Sequence, residues 1–311
     1  MIKPEALRTG DTIGVIAPAG SADPAELARG VEHLIGMGFR VALGESVEKR
    51  LRYLAGSDRD RAADLNRMFS NPEITAIVCA RGGYGTSRII PYLDEAAIAQ
   101  HPKILVGSSD VSLLLNYLCR RLGLVTFHGP MAAPNFGKQP SALTDAWFRK
   151  ILVEAQGKGP IAVDGVKGLR GGLAQGPLAG GCLTMLCSTL GTPYEIQTDG
   201  AILLLEDIDE APYRIDRMLT QLKAASKFKN VRGVIFGTMP GCQPPSKSAY
   251  VLEDVICDVL ADQTFPILYG FPAGHGGEQV TLPIGVPVQM DGSTAAVTLL
   301  ESAVHLKGGT P

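Results

Sequence analysis

The sequence predicts an α/β protein built on a largely parallel sheet. Three observations carry this. Short apolar runs rich in β-branched residues alternate with segments of helical spacing; the runs are apolar throughout, as strands covered on both faces are; and the C-terminal part adds further extended segments.

The first run, Thr12-Ile13-Gly14-Val15-Ile16-Ala17-Pro18, is closed by Pro and Gly and reads as a buried strand. Ser21 and Asp23 offer helix N-caps ahead of a helical pattern to about residue 38, and a second extended segment starts near Arg40. A helix over 59–69 leads to the strand Ala76-Ile77-Val78-Cys79-Ala80 and the glycine-rich turn Arg81-Gly82-Gly83-Tyr84-Gly85. After a mixed stretch to Lys103 come the strand Ile104-Leu105-Val106, a helix over 111–122, and Val125-Thr126-Phe127-His128-Gly129-Pro130. The pattern then changes: residues 134–177 are rich in Gly, Pro and Gln and keep no long period, so they read as a linker with some local structure. Regular signals return with the apolar stretch 182–190, the strand Ala201-Ile202-Leu203-Leu204-Leu205, a helix over 212–225, the strand Gly233-Val234-Ile235-Phe236, a helix over 249–260, and Phe265-Pro266-Ile267-Leu268-Tyr269. The tail is β-rich at 280–282 and 296–300. This divides the chain into an N-terminal domain (1–135), a linker (136–177) and a C-terminal domain (178–311), with no internal repeat or low-complexity tract.

At 311 residues and 45% hydrophobic, the chain can bury sizeable cores. Its 29 Lys and Arg against 31 Asp and Glu leave a net charge of -2, which gives no electrostatic reason to expect nucleic acid or an anionic membrane as partner; a small ligand is the default. The N-terminus lacks the apolar core of a secretory signal, and no run is long enough to span a bilayer, so a cytoplasmic location is expected. Six cysteines (Cys79, Cys119, Cys182, Cys187, Cys242, Cys257) form no CxxC pair and read as reduced, mostly buried thiols rather than disulfides or a zinc site. No P-loop and no H-E-x-x-H metal motif occurs, so neither metal nor cofactor is expected.

The most informative local sequence is Ile104-Leu105-Val106-Gly107-Ser108-Ser109-Asp110-Val111, a strand passing through Gly-Ser-Ser-Asp directly into a helix. A serine on that turn can expose its hydroxyl while the first helical amides face an oxyanion. Val111 stands where the G-x-S-x-G pattern has a small residue, and these residues alone do not separate Ser108, Ser109 and Ser112; a plain N-capping Ser-Asp pair also accounts for them. A nucleophilic serine needs a base, usually a histidine oriented by a carboxylate. Of five histidines, His33, His101 and His305 have ordinary packing or surface explanations, and His128 ends a strand as a core or turn histidine. His275 lies in Phe271-Pro272-Ala273-Gly274-His275-Gly276-Gly277-Glu278, a loop of small residues that allows close approach. For the carboxylate, Glu206 comes first in Glu206-Asp207-Ile208-Asp209-Glu210 after a fully apolar strand, where open α/β sheets place their sites; Asp209 and Glu210 are expected to cap the following helix. The turn Arg81-Gly82-Gly83-Tyr84-Gly85-Thr86-Ser87-Arg88 falls one residue short of a dinucleotide fingerprint, and an exposed amide serving an oxyanion is the better use of it.

Taken in order, Ala80-Arg81-Gly82-Gly83-Tyr84-Gly85, Gly107-Ser108-Ser109-Asp110, Leu205-Glu206-Asp207 with Pro212-Tyr213-Arg214-Ile215-Asp216-Arg217, and Gly274-His275 with Thr281-Leu282-Pro283-Ile284-Gly285 resemble the motifs of the LD-carboxypeptidase family of serine peptidases. The resemblance implies Ser109 as nucleophile, Glu206 and His275 as the rest of a triad, and the backbone amides of Gly83 and Asp110 as oxyanion donors. It also implies an N-terminal Rossmann-like parallel-sheet domain carrying the serine, a C-terminal β-rich α/β domain carrying Glu and His with the active site between them, and a homodimer. The substrate implied is a murein tetrapeptide that loses its terminal D-alanine during peptidoglycan recycling, with Arg81 a candidate for its carboxylate. Two rivals are an immunity-type branch that cleaves aminoacyl-adenylate analogues and a non-catalytic two-domain binding protein. One departure is Cys182, where the family pattern leads us to expect Asn, which puts a local hydrogen bond in doubt.

Overall fold

A computed structural model of the protein describes residues 1–155 and 157–306. The chain runs β1 (Thr12–Ile16), α1 (Pro24–Gly36), β2 (Arg40–Leu43), α2 (Asp58–Ser70), β3 (Ile74–Cys79), α3 (Thr86–Ile89), α4 (Glu95–Gln100), β4 (Ile104–Gly107), α5 (Val111–Leu122), β5 (Thr126–His128) and α6 (Ala142–Leu152). It continues with β6 (Gly159–Pro160), β7 (Lys167–Arg170), β8 (Leu173–Cys182), α7 (Leu183–Ser188), β9 (Ile202–Glu206), α8 (Pro212–Ala224), β10 (Gly233–Phe236), α9 (Leu252–Val259), β11 (Ile267–Tyr269), β12 (Leu282–Ile284), β13 (Pro287–Asp291) and β14 (Ala296–Leu299). These elements form two compact units. The first holds Met1–Gly157, Gly277–Gly285 and the described residues from Ser302 on; the second holds Lys158–Gly276 and Val286–Glu301.

The first unit is a six-stranded sheet in the order β12-β5-β4-β3-β1-β2. Strands β1 to β5 are parallel, and β12 closes the edge antiparallel to β5, pairing Leu282 with His128. The apolar runs are buried as their composition requires: Ile13, Val15, Ile77, Val78, Leu105, Val106 and Phe127 are all solvent-excluded. Helix α1 starts at Asp23, whose side chain accepts from the amides of Ala25 and Glu26. Helix α2 starts with a capping box between Ser57 and Asp60. Helix α5 packs Val111, Leu114, Leu115 and Leu118 inward and stops at Gly123, whose φ of 68° lies in the left-handed region.

The second unit is an eight-stranded mixed sheet, β6-β14-β13-β8-β9-β10-β11-β7. Its centre, β8 to β11, is parallel; β13, β14 and β6 extend one side antiparallel and β7 the other. Its core sets Leu203, Leu205, Val234, Phe236 and Ile267 against Ile215, Leu219 and Leu222 of α8 and Leu252 and Ile256 of α9.

Two sequence-based expectations differ from this arrangement. Residues 136–177, read as a linker with local structure, hold helix α6, strands β6 and β7 and half of β8. Helix α6 is capped by Ser141 and buries Trp147, Phe148 and Ile151, so its period was real but short. The sequence pattern places the whole tail in the C-terminal domain, yet β12 belongs to the first sheet, because Leu282 and Ile284 are buried there beside β5. Among the described residues no helix is long and apolar enough to cross a membrane.

Candidate active site

In the first unit, β4 ends at Gly107 and α5 begins at Val111, leaving three residues to reverse the chain. Ser109 occupies the middle of that turn with φ of 60°, a conformation that costs an L-residue on the order of 1 kcal/mol. The turn is fixed by Val111 N donating to Ser108 O (3.1 Å) and Ser112 N to Ser109 O (2.9 Å). Ser108 and Ser112 are buried, whereas Ser109 is partly exposed. Of Ser108, Ser109 and Ser112, Ser109 combines a left-handed backbone with partial exposure.

The glycine-rich turn after β3 lies against this serine. A methyl group on Gly82 would sit 2.7 Å from the Ser109 Cβ and 2.9 Å from its Oγ, so no side chain fits at 82. Asp110 ties the two turns together: its Oδ2 accepts from Thr86 N (2.8 Å), and Thr86 Oγ1 donates to the Asp110 carbonyl (2.7 Å). Burial pushes the Asp110 carboxyl above the usual range, against the opposing pull of those Thr86 hydrogen bonds. From below, the wholly buried Arg61 of α2 donates to the carbonyls of Pro18 (2.5 Å) and Gly85 (2.9 Å) and pairs with Asp58, which also takes Arg88 Nη2 at 2.9 Å. Among the described residues, neither the Gly83 nor the Asp110 amide is given to a protein acceptor. Arg81 is exposed and donates from Nη1 to Ser21 O at 2.9 Å.

In the second unit, Glu206 is the last residue of β9 and is fully buried, with its Oε2 2.6 Å from His275 Nδ1. A carboxylate can only accept, so Nδ1 carries the hydrogen and the neutral ring presents its lone pair at Nε2. The loop that carries His275 is pinned to the end of β10. Thr238 N and Oγ1 both donate to Ala273 O (2.9 and 3.0 Å), and Gly276 N donates to Thr238 Oγ1 (3.0 Å). Gly274 has φ of 103°, and a methyl there would lie 2.7 Å from the Glu206 Cδ, so only glycine lets the loop close over the carboxylate.

Burial alone would lower the His275 pKa, but the hydrogen bond to Glu206 and the charges of Glu206, Asp207 and Asp209 outweigh it and leave the pKa raised. The imidazole should thus titrate above the ordinary histidine value of about 6.5. A raised native pKa stabilises the fold below the unfolded-state pKa, and that contribution is lost as pH rises through the native value. An NMR titration of the ring checks this; a midpoint below 6.5 would contradict it.

Three local expectations can be placed as well. Asp209 and Glu210 do not cap α8: its N-cap is Ala211 with no side-chain hydrogen bond, because Asp209 sits in a left-handed turn (φ of 55°) and Glu210 reaches forward to Arg214 at 3.3 Å. Cys182 reaches Asp207 Oδ1 only through a long 3.9 Å sulfur contact, while Thr184 supplies shorter bonds to the same carboxylate (2.9 and 2.8 Å). The cysteines are free, and burial pushes the Cys187 and Cys242 thiols up to about 12 and about 11, as unreactive side chains. Sequence reasoning missed Arg61, Thr86 and Thr238, which hold loops rather than end strands. Among the described residues, no group of three or more His, Cys, Asp or Glu could hold a metal ion.

The model of the LD-carboxypeptidase N-terminal domain matches residues 13–129, and that of the LD-carboxypeptidase C-terminal domain matches residues 175–290. The chain belongs to the LD-carboxypeptidase family. Its relatives include the probable murein peptide carboxypeptidase of Bacillus subtilis, 41% identical over 93% of this chain and 91% of that protein. The microcin C7 self-immunity protein MccF of Escherichia coli is 30% identical over 95% of this chain and 94% of its own length. A solved structure of a microcin C7 self-immunity protein MccF matches with a TM-score of 0.93 at 28% identity, covering 98% of this chain and all of the other. The muramoyltetrapeptide carboxypeptidase of Oxalobacter formigenes matches with a TM-score of 0.81 at 29% identity, covering 93% and 97% of the two chains. The LD-carboxypeptidase fold, with a mostly parallel N-terminal sheet and a second mixed sheet, is thus the fold of this chain.

Proposed function

We propose that this LD-carboxypeptidase is a serine hydrolase that releases the terminal D-alanine of a murein tetrapeptide, with Ser109 as nucleophile, His275 as general base and Glu206 as the carboxylate that orients it. The observation that carries the reading is the left-handed backbone of Ser109 on the β4–α5 turn, since strain at a partly exposed serine is retained where it aims a hydroxyl. In this mechanism His275 Nε2 takes the Ser109 proton as Oγ attacks the scissile carbonyl. Glu206 holds the tautomer and stabilises the imidazolium. The amides of Gly83 and Asp110, both without a protein acceptor among the described residues, take the oxyanion. The imidazolium then protonates the departing D-alanine amine, and water hydrolyses the acyl-enzyme with the same base.

The substrate rests on relatives whose names record murein peptide and murein tetrapeptide as what they act on. A cytoplasmic recycling role and a homodimer belong to the same proposal. The immunity-type alternative has its own support in the strong structural match to the self-immunity protein, solved with aspartyl sulfamoyl adenosine bound. An assay separates the two. Incubation with the tetrapeptide should yield tripeptide and free D-alanine, and a C-terminally amidated tetrapeptide should be cut poorly. Cleavage of an aminoacyl-sulfamoyl adenylate with no D-alanine released would assign the protein to the immunity-type branch.

A further inference from the structure

The two amides proposed for the oxyanion lie on different turns of the first unit, Gly83 after β3 and Asp110 after β4, so they act together only if the two turns are held in register. The turns touch. A methyl group on Gly82 would lie 2.9 Å from Ser109 Oγ and 3.3 Å from the Asp110 nitrogen. The space left by that missing side chain is thus bounded by the nucleophile and by one of the donors, with Gly83 next in the chain at φ of 99°.

Thr86, the first residue of α3, crosses between the turns twice. Its amide donates to Asp110 Oδ2 (2.8 Å) and its hydroxyl to the Asp110 carbonyl (2.7 Å), and the residue is wholly buried, so bulk water does not compete for either bond. Thr86 is anchored in turn, because Arg61 Nη1 donates to the carbonyl of Gly85 immediately before it (2.9 Å). The Asp110 carboxylate serves this brace and not its own helix. An aspartate at an N-cap ordinarily accepts from the amides of the first turn, as Asp23 does on α1 and Asp94 on α4; Asp110 stands at the N-cap of α5 and makes no such bond. A forgone cap directly after a left-handed serine places two local costs on successive residues, the pattern of a segment shaped by function rather than by stability.

We propose that the Thr86–Asp110 brace sets the spacing of the Gly83 and Asp110 amides, which makes Thr86 a positioning residue of the reaction. This rests on the serine-hydrolase reading above, in which those amides take the oxyanion. A residue that only stabilised the loop would, when changed, lower the melting temperature and leave the kinetics of the folded protein as they were. A positioning residue acts on the transition state: the bound substrate carries no oxyanion, so binding survives a displaced donor and the chemical step does not. Thr86→Val separates the two, because valine matches threonine in shape and keeps the backbone amide that meets Asp110 Oδ2, while it removes the hydroxyl that holds the Asp110 carbonyl.

The test compares the wild type with Thr86→Val and Thr86→Ser in steady-state kinetics on the tetrapeptide, or on an aminoacyl-sulfamoyl adenylate if that is what the wild type cleaves. Thr86→Val should lower kcat by about tenfold to a hundredfold with KM held within about threefold, as expected when an oxyanion donor is displaced and not deleted. Thr86→Ser keeps the hydroxyl and should recover most of the loss. The second-order rate of fluorophosphonate labelling at Ser109 should fall in parallel, because the phosphoryl oxygen enters the same hole, while the final stoichiometry of labelling stays that of the wild type and shows the sites intact. If Thr86→Val does not fold, Asp110→Ala, which removes the acceptor of the Thr86 amide, is judged by the same criteria. A wild-type kcat and labelling rate in the folded variant, or a loss confined to KM or to the melting temperature, overturns the inference and leaves the serine-hydrolase reading standing. A wild type that fluorophosphonate does not label at Ser109 overturns that reading and the brace with it.

Discussion

Ser109→Ala is expected to lower kcat by at least about 10⁴-fold without lowering stability, because removing a nucleophilic hydroxyl leaves only binding and oxyanion stabilisation to act. The stability half follows from the backbone. Alanine at φ of 60° carries the same strain as serine, and Ser109 is only partly buried, so the melting temperature should hold. Ser109→Gly makes a sharper pair with it. Glycine relieves the left-handed conformation and should raise stability by up to about 1 kcal/mol while being equally inactive. Ser108→Ala should retain measurable turnover, since Ser108 is buried beside the turn and its carbonyl, not its side chain, holds Val111 N. Steady-state kinetics with thermal melts on the three proteins decide the matter. Turnover in Ser109→Ala within tenfold of the wild type would remove Ser109 from the mechanism.

Much of the fold could be read from residues alone because parallel strands announce themselves by composition. Runs such as 104–106 and 201–205 have no polar face, and only a sheet covered on both sides accommodates them. The positions of Glu206 and His275 were legible for a related reason, as a carboxylate ending such a run and a histidine among glycines. Their 2.6 Å contact was not, since it depends on the Thr238 clamp and on the space left by Gly274, neither of which has a sequence signature. That Ser109, and not Ser108 or Ser112, takes the left-handed backbone was likewise not legible, since the turn sets it and not the residue type. Arg61 was hidden because it lies in a helix with the look of a charged surface; it is buried because two loop carbonyls and Asp58 replace its water. Strand β12 illustrates a third limit: its three residues fit either sheet by pattern, and only pairing to β5 decides between them.

Glu206→Gln should cost on the order of 10⁴-fold in kcat, because it reverses the hydrogen that fixes the base. The wild-type carboxylate accepts from His275 Nδ1, which leaves Nε2 free to take a proton. A glutamine in the same buried space can turn its amide toward Nδ1 and donate, which favours the tautomer protonated at Nε2, unable to accept from a serine. The substitution also removes the charge that raises the His275 pKa while leaving the burial that lowers it, so the midpoint must move down. In the wild type, kcat/KM should rise with pH as the imidazole loses its proton, with its midpoint above the ordinary histidine value of about 6.5. In Glu206→Gln the residual activity should reach its plateau at lower pH. Stability changes in the opposite sense: the wild type gains from the protonated His275 beside Glu206 below the unfolded-state pKa and loses that gain as pH rises through the native one, whereas the variant lacks the gain at acid pH. The difference in melting temperature between the two proteins should therefore be larger at pH 5 than at pH 8, in favour of the wild type. An unchanged midpoint, or a variant more stable relative to wild type at acid pH than at alkaline pH, would separate Glu206 from the control of His275.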